Sequence, residues 1–339
     1  MLKLGADGQT AALINQLLGF TLPPAQIDSG FQALNNDLAN NAQTSAGSWC
    51  NANAVWVDKS ITLSQAYADQ ITNSYGAAVQ TADFKSDAKG ANEAINQWAQ
   101  THTNGRISEL APTLDSLTRL VLVNAVYFKN EWQTPFNKSE TKDAYFALLN
   151  SQSIQVPMMA LGEATTLAYA KNDQYQMFAL PYKGNKLAMM ILMPADGQFD
   201  TVEANLSGSQ FTKAVSSLKS KYVFIEMPRF QVHYDLPLKT ALQKLGITDA
   251  FDPNRANFTP IQSGKSAQPL FLSDALHKAF INADEAGTEA AASSELGMRV
   301  GAMAASPVFI TIDHPFIFAI CDEQTGTILF LGRVVNPLQ

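Results

Sequence analysis

Residues 117–129 (LTRLVLVNAVYFK) limit what this chain can fold into more than any other stretch. The run is nearly all apolar, rich in β-branched and aromatic side chains, and shows no apolar-polar alternation. A strand with one wet face would alternate, so this run is expected to be a strand buried on both faces. Asn124 stands in its middle. An unpaired buried amide would cost about 1–3 kcal/mol, so Asn124 is expected to find hydrogen-bond partners inside the fold. With 46% hydrophobic and only 16% charged residues among 339, the chain has ample material for a large core around such a strand.

The early chain reads as helical. Leu13, Ile14, Leu17 and Leu18 form one apolar face stopped at Gly19, and Ile27, Phe31, Leu34 and Leu38 form another after Pro23-Pro24. Ile95, Trp98 and Ala99 mark a third helix, and Leu238, Leu242 and Leu245 a fourth that ends at Gly246. Strands are expected over 52–57, 176–180, 187–193 and 223–227, residues 271–282 lead on to the segment that begins at Asp284, and two more strands over 316–320 and 327–331 flank the turn Glu323-Gln324-Thr325-Gly326. No linker, low-complexity tract or internal repeat splits the chain. Helices first and strands later imply one α+β domain over 1–339.

Residues 284–312 are unusual. Counted in twos from Gly287, one set runs Thr288, Ala290, Ala292, Ser294, Leu296, Met298, Val300 and the other Glu289, Ala291, Ser293, Glu295, Gly297, Arg299. That is a strand pattern with a wet and a dry face, and the dry face begins with small side chains. Such an edge can slide between two existing strands without prying side chains apart. An Ala-rich helix or a flexible Ala/Ser linker would fit the same residues.

Several functions are excluded or lack support. A net charge of −7 and a pI near 5.1 give no basic footprint for nucleic acid or an anionic membrane, and no apolar run approaches a membrane span. Cys50 and Cys321 lie far apart in strand-like runs and read as buried thiols, with no paired His or Cys at metal-ligand spacing. There is no GxSxG elbow and no HExxH pair, and Gly264-Lys265-Ser266 lacks the preceding glycine of a phosphate loop. His102, His233, His277 and His314 are scattered, and nothing assembles a nucleophile with a base. The chain is expected not to be an enzyme, and no cofactor or metal is implied. Asn137, Asn205 and Asn257 begin N-x-S/T triplets, a weak glycosylation signal.

A segment beginning DEAGTEAAA and leading into DHPFIFAICDEQTGTILFLGRVVNP closely resembles the reactive-centre loop and C-terminal strands of the serpins. The resemblance runs from Met1 to Pro337 through VLVNAVYFKNEW, VPMM, LPYKGNKLAMMILMP, LGITDAF and LHKAFINADEAGTEAAA. It implies an α+β serpin fold with a large mixed central sheet, a second sheet, surrounding helices and an exposed reactive-centre loop over 284–312. By the same comparison MLKLG matches the tail of an early helix, and the family's preceding helix and strand are missing from this sequence.

The function implied is inhibition of a serine protease by suicide: the loop is cleaved, the acyl-enzyme is trapped, and the loop enters the central sheet. A metastable, monomeric, extracellular inhibitor is the expectation, with a non-inhibitory serpin-fold binding or chaperone-like protein as the alternative. The hinge maps to Glu285, Gly287, Thr288, Glu289, Ala290, Ala291 and Ala292, with Gly287 supplying backbone freedom. Glu285 matches an acid that pairs with a base, here Arg229, beside Trp132. Asn124 and His277 match a polar cluster under the sheet that the family completes with serines this chain lacks. Counting from the hinge puts the scissile bond at Gly301-Ala302, and counting back from Pro315 puts it nearer Ala304. The window Val300, Gly301, Ala302, Met303, Ala304 is small or apolar, which suits an elastase-like or subtilisin-like enzyme. Arg299 is the rival and would suit a trypsin-like one.

Overall fold

A computed structural model describes residues 1–44, 48–111, 114–184, 186–264, 269–288 and 306–339 of the chain. In chain order its helices are α1 (Leu2–Gly5), α2 (Gly8–Leu18), α3 (Pro24–Thr44), α4 (Gln65–Tyr75), α5 (Ala88–His102), α6 (Phe199–Asn205), α7 (Gly208–Ser216) and α8 (Leu238–Lys244). The strands of the first half are β1 (Ser48–Asp58), β2 (Ala78–Ala82), β3 (Leu120–Glu131), β4 (Asn137–Ala147), β5 (Ser153–Ala160), β6 (Thr165–Lys171) and β7 (Tyr175–Pro181). Those of the second are β8 (Leu187–Pro194), β9 (Lys219–Pro228), β10 (Phe230–Pro237), β11 (Leu272–Ala283), β12 (Gly287–Thr288), β13 (Val308–Thr311), β14 (Phe316–Asp322) and β15 (Ile328–Val334). The architecture is α+β. The chain divides into two compact units, one of Met1–Asn40, Trp49–Tyr127 and His233–Phe280, the other of Asn41–Ser48, Phe128–Val232 and Ile281–Gln339.

In the first unit the apolar run is a strand with a core on each side. Leu120 packs with Val55, Val57, Ile71, Phe258 and Ile261, whereas Val121, Val123 and Ala125 pack with Trp56, Ile95, Trp98 and Ala99 of α5 and its neighbours. Successive side chains of β3 therefore enter different cores, which is why the sequence shows no polar face. The pairing of β3 with β11 is parallel, from Leu272↔Leu120 to Phe280↔Tyr127, and β1 pairs in parallel with β2. Leu117 is not part of the strand. It sits 68% exposed in the turn that precedes β3, just as Leu18 and Leu245 sit exposed at helix ends where the periodicity had placed them inside. Terminal turns have fewer neighbours than the pattern assumes.

The second unit holds a nine-stranded sheet in the order β15-β14-β8-β7-β6-β9-β5-β4, with β13 pairing in parallel with β9. One face is closed by α6 and α7, whose Phe199, Val202, Phe211 and Ala214 pack on Met177, Ala179, Met190, Leu192, Ile317 and Ala319. Ser207 caps α7 reciprocally with Gln210, so two of the helix's orphan amides are satisfied at that corner. Cys321 belongs to this core. Burial, with Glu323 and Asp322 nearby, pushes its thiol up to about 12, and both it and Cys50 are free. A thiol so raised is a packing group with almost no thiolate at neutral pH.

Candidate functional site at the loop hinge

β11 ends at Ala283, and Asp284-Glu285-Ala286-Gly287 turn the chain back on itself. The Asp284 carboxylate accepts from the amides of Ala286 (2.9 Å) and Gly287 (3.2 Å), while the Asp284 amide donates to the Gly287 carbonyl at 2.8 Å. Asp favours turns because its side chain can bond the amides that follow it. The turn delivers β12, which pairs antiparallel with β11 through Ala283↔Thr288 and with β3 through Gly287↔Glu131 and Thr288↔Asn130. Gly287 and Thr288 thus already form a short strand flanked by β3 and β11.

Gly287 is required here for room. A Cβ on it would lie 2.1 Å from the Asn130 carbonyl oxygen and 2.6 Å from the Glu131 Cα, and its φ is not in the left-handed region. In this conformation the position asks for the absence of a side chain and not for a left-handed backbone. Thr288 is fully buried, and its Oγ1 shares a 2.7 Å hydrogen bond with the Tyr182 hydroxyl. The Tyr182 ring stacks on Trp132, with centroids 4.6 Å apart and planes 13° off parallel. Burial raises the Tyr182 pKa, so the hydroxyl stays protonated and can donate.

Trp132 also stitches the end of β3 to the turn. Its indole N–H donates to the Asp284 carbonyl (2.8 Å), its amide donates to the Ala286 carbonyl (2.9 Å), and the Phe136 amide donates to the Glu285 carbonyl (2.9 Å). The Glu285 side chain accepts from Arg229 Nε at 2.8 Å, from a second guanidinium nitrogen, and from the Thr141 hydroxyl on β4. Burial works against ionisation of Glu285. The hydrogen bonds from Arg229 and Thr141, with the guanidinium charge, outweigh it and hold the carboxyl below its usual value.

Asn124 and His277 face each other in the first unit. They are register partners on β3 and β11, and His277 Nδ1 lies 2.6 Å from Asn124 Oδ1. Both amide protons of Asn124 are taken, by Asn51 Oδ1 and Asn53 Oδ1 at 2.8 Å each, so its oxygen must face the ring and Nδ1 must carry the proton. Burial lowers the His277 pKa, and Asp235 opposes this only in part. In the place of the serines that the resemblance would have put here, two asparagines on β1 satisfy the amide.

The remaining site residues, Glu289, Ala290, Ala291, Ala292, Arg299, Val300, Gly301, Ala302, Met303 and Ala304, lie outside the described residues. Tyr182, Thr141, Asn51 and Asn53 went unread in the sequence. The period-two spacing of Asn51 and Asn53 in a strand could have shown that they share a face; Tyr182 and Thr141 gave no signal.

The far end of the same segment is anchored by a charged histidine. The Ile312 amide donates to the Glu226 carbonyl (2.9 Å) and the Ala147 amide to the Asp313 carbonyl (2.7 Å). His314 then lies 2.7 Å from the Asp313 carboxylate through Nδ1 and 2.7 Å from the Pro194 carbonyl through Nε2. Two acceptors need two N–H groups, which only the imidazolium has. Burial lowers the His314 pKa, but the bonds to Asp313 and Pro194 and the charges of Asp313 and Asp196 raise it further, leaving it above its ordinary value. A raised folded-state pKa gives stability that is complete below about pH 6.5 and is lost as the pH climbs through the folded value. The melting temperature is therefore expected to carry a downward contribution from His314 between about pH 6 and pH 8, which His314→Gln removes. Parallel melting curves for the two proteins across that range would refute it.

A family model described as Serpin (serine protease inhibitor) matches residues 1–337. The chain is 36% identical over 287 residues to an uncharacterized serpin-like protein of Thermococcus kodakarensis, a match covering 84% of this chain and 66% of that protein, just under two thirds of its length. It is 32% identical over 346 residues to leukocyte elastase inhibitor A of Rattus norvegicus, covering 99% of this chain and 89% of the relative. Among solved structures, human thyroxine-binding globulin complexed with thyroxine superposes with a TM-score of 0.88 at 29% identity, over 100% of this chain and 88% of the other.

Proposed function

The chain belongs to the serpin family, and from that membership we propose that it inhibits a serine protease as a suicide substrate. The observation that carries the reading is β12, with the hinge already hydrogen-bonded on both sides at Gly287 and Thr288. Insertion of the cleaved loop would extend a strand already begun, and the dry face that follows, Ala290, Ala292 and Ser294, is small. Serpin loop insertion is itself an established example of strand addition and of stored strain released by proteolysis.

In the proposed reaction the protease supplies the nucleophile. Its serine Oγ attacks the Gly301 carbonyl, the Gly301–Ala302 bond breaks, Ala302 leaves as a protonated amine, and Gly301 remains as an ester on the enzyme. Insertion then has to outrun hydrolysis of that ester. A dozen inserted residues, each gaining roughly 0.5–1.5 kcal/mol net in backbone hydrogen bonds, release on the order of 10 kcal/mol. That rivals the stability of a whole domain, so the uncleaved form is held by a kinetic barrier. Trp132, Tyr182 and the Glu285–Arg229 pair hold the point where insertion starts, and Asn124 with His277 ties β3 to β11 further down.

The loop is read as bait for an elastase-like or subtilisin-like enzyme. Mixing the protein with such a protease is expected to give an SDS-stable complex and to release a peptide beginning between Gly301 and Ala305. A released peptide beginning at Val300, from cleavage after Arg299, would overturn the preference in favour of a trypsin-like enzyme. The competing reading, a serpin-fold binding protein, draws on the likeness to thyroxine-binding globulin. It would be preferred if every serine protease in a broad panel cut the loop or ignored it without forming a complex.

A further inference from the structure

The strand that leaves the loop carries an aromatic face with no apolar cover among the described residues. Along β9 and β13 the inward side chains Val223, Ile225 and Ile310 are buried, whereas the outward side of the same strands presents Tyr222, Phe224 and Phe309. Phe309 is 73% exposed, more than any other large hydrophobic residue described. It is the register partner of Phe224, with ring centroids 5.8 Å apart, and Tyr222, 37% exposed, lies two residues before Phe224 on the same face. Isolated exposed apolar residues are ordinary, but three adjacent aromatics on one strand pair are the composition of an interface centre.

The position of the patch along the chain selects its occupant. Phe309 follows Ala302 by seven residues and Ala304 by five, so at no more than 3.3–3.6 Å per residue it lies within about 17–25 Å of the bond to be cut. A protease domain of roughly 250 residues has a radius of gyration near 18 Å and so a diameter above about 40 Å. An enzyme that holds the bait bond spans that distance. We infer that Phe309, Phe224 and Tyr222 form a second docking surface for the target protease, engaging apolar groups beside the half of its cleft that binds residues after the scissile bond. This rests on the inhibitory reading above, and it adds that discrimination between proteases is made partly off the loop.

The rate constant for SDS-stable complex formation, measured with a subtilisin-type and an elastase-type protease for wild type, Phe309→Ser and Phe309→Tyr, tests it. For at least one enzyme Phe309→Ser is expected to associate roughly five- to thirtyfold more slowly, the range for loss of an aromatic interface anchor, with Phe309→Tyr restoring most of the rate. The number of inhibitor molecules consumed per enzyme should stay unchanged, because that ratio reports insertion against hydrolysis. Equal rates for folded Phe309→Ser and wild type with both enzymes would overturn the docking surface and leave the inhibitory function standing. A wild-type protein that forms no complex would overturn both.

Discussion

Replacing Thr288 with arginine is expected to leave a protein that proteases cut but no longer trap. The Thr288 side chain is fully buried, bonded to the Tyr182 hydroxyl at 2.7 Å beneath the Trp132 ring, and flanked by the backbones of β3 and β11. A guanidinium in that place would be desolvated without a carboxylate to meet it, at a cost of several kcal/mol, so β12 should leave the sheet. After cleavage the same residue would have to re-enter for the rest of the loop to follow. Since each 1.4 kcal/mol is tenfold in a partition between insertion and hydrolysis, trapping should drop by at least roughly a hundredfold. The measurement is the number of inhibitor molecules consumed per protease inactivated, alongside the complex band on a denaturing gel. Thr288→Ser, which keeps the hydroxyl for Tyr182, should behave nearly as wild type. A Thr288→Arg protein with unchanged stoichiometry would rule out insertion through this hinge.

What the sequence disclosed follows from which interactions leave a periodic trace. The β3 run was legible because its side chains alternate between two cores and so are apolar throughout, and α5 was legible because Ile95, Trp98 and Ala99 recur at helical spacing on one face. Strand β4 left no such trace. Most of its side chains from Asn137 to Ala147 face water, and it exists because β5 supplies its hydrogen bonds. The hinge divides in the same way. Thr288 and the small residues after it were visible as a pattern, whereas the reason for Gly287 lies in the backbone of Asn130 and Glu131, more than 150 residues earlier in the chain. Contacts of that kind, Tyr182 with Thr288 or Thr141 with Glu285, are set by three-dimensional closure and have no local signature. His314 stood out only as a lone histidine before a proline, and its charge comes from two acceptors, one of them the backbone carbonyl of Pro194.

Reversing the charge of Glu285 should destabilise the protein before any protease is added. The Glu285 side chain is 9% exposed and accepts two bonds from Arg229 and one from Thr141, while its backbone carbonyl receives the Phe136 amide. In Glu285→Lys the ammonium would face the Arg229 guanidinium, and all three side-chain bonds would be lost. Breaking a fully buried pair costs about 3–5 kcal/mol, but Arg229 is 39% exposed, so water can solvate part of the orphaned charge and about 2–3 kcal/mol is the better figure. In a chain of this length that is roughly 3–4 °C in melting temperature. Because the turn holding Glu285 also positions β12, the loosened hinge should leave the seam between β3 and β11 open to strands of other molecules, and the variant should form oligomers on mild warming. The reciprocal exchange Glu285→Lys with Arg229→Glu restores opposite charges without the bidentate geometry, and about half of the lost stability should return. The pH dependence supplies an independent check. A carboxyl held below its ordinary value contributes stability above the usual pKa of about 4.3 and loses it as the pH falls through the folded value, so the advantage of wild type over Glu285→Gln should be full at neutral pH and shrink below about pH 4. A double exchange no more stable than Glu285→Lys alone would show that the pair contributes shape and not charge to the hinge.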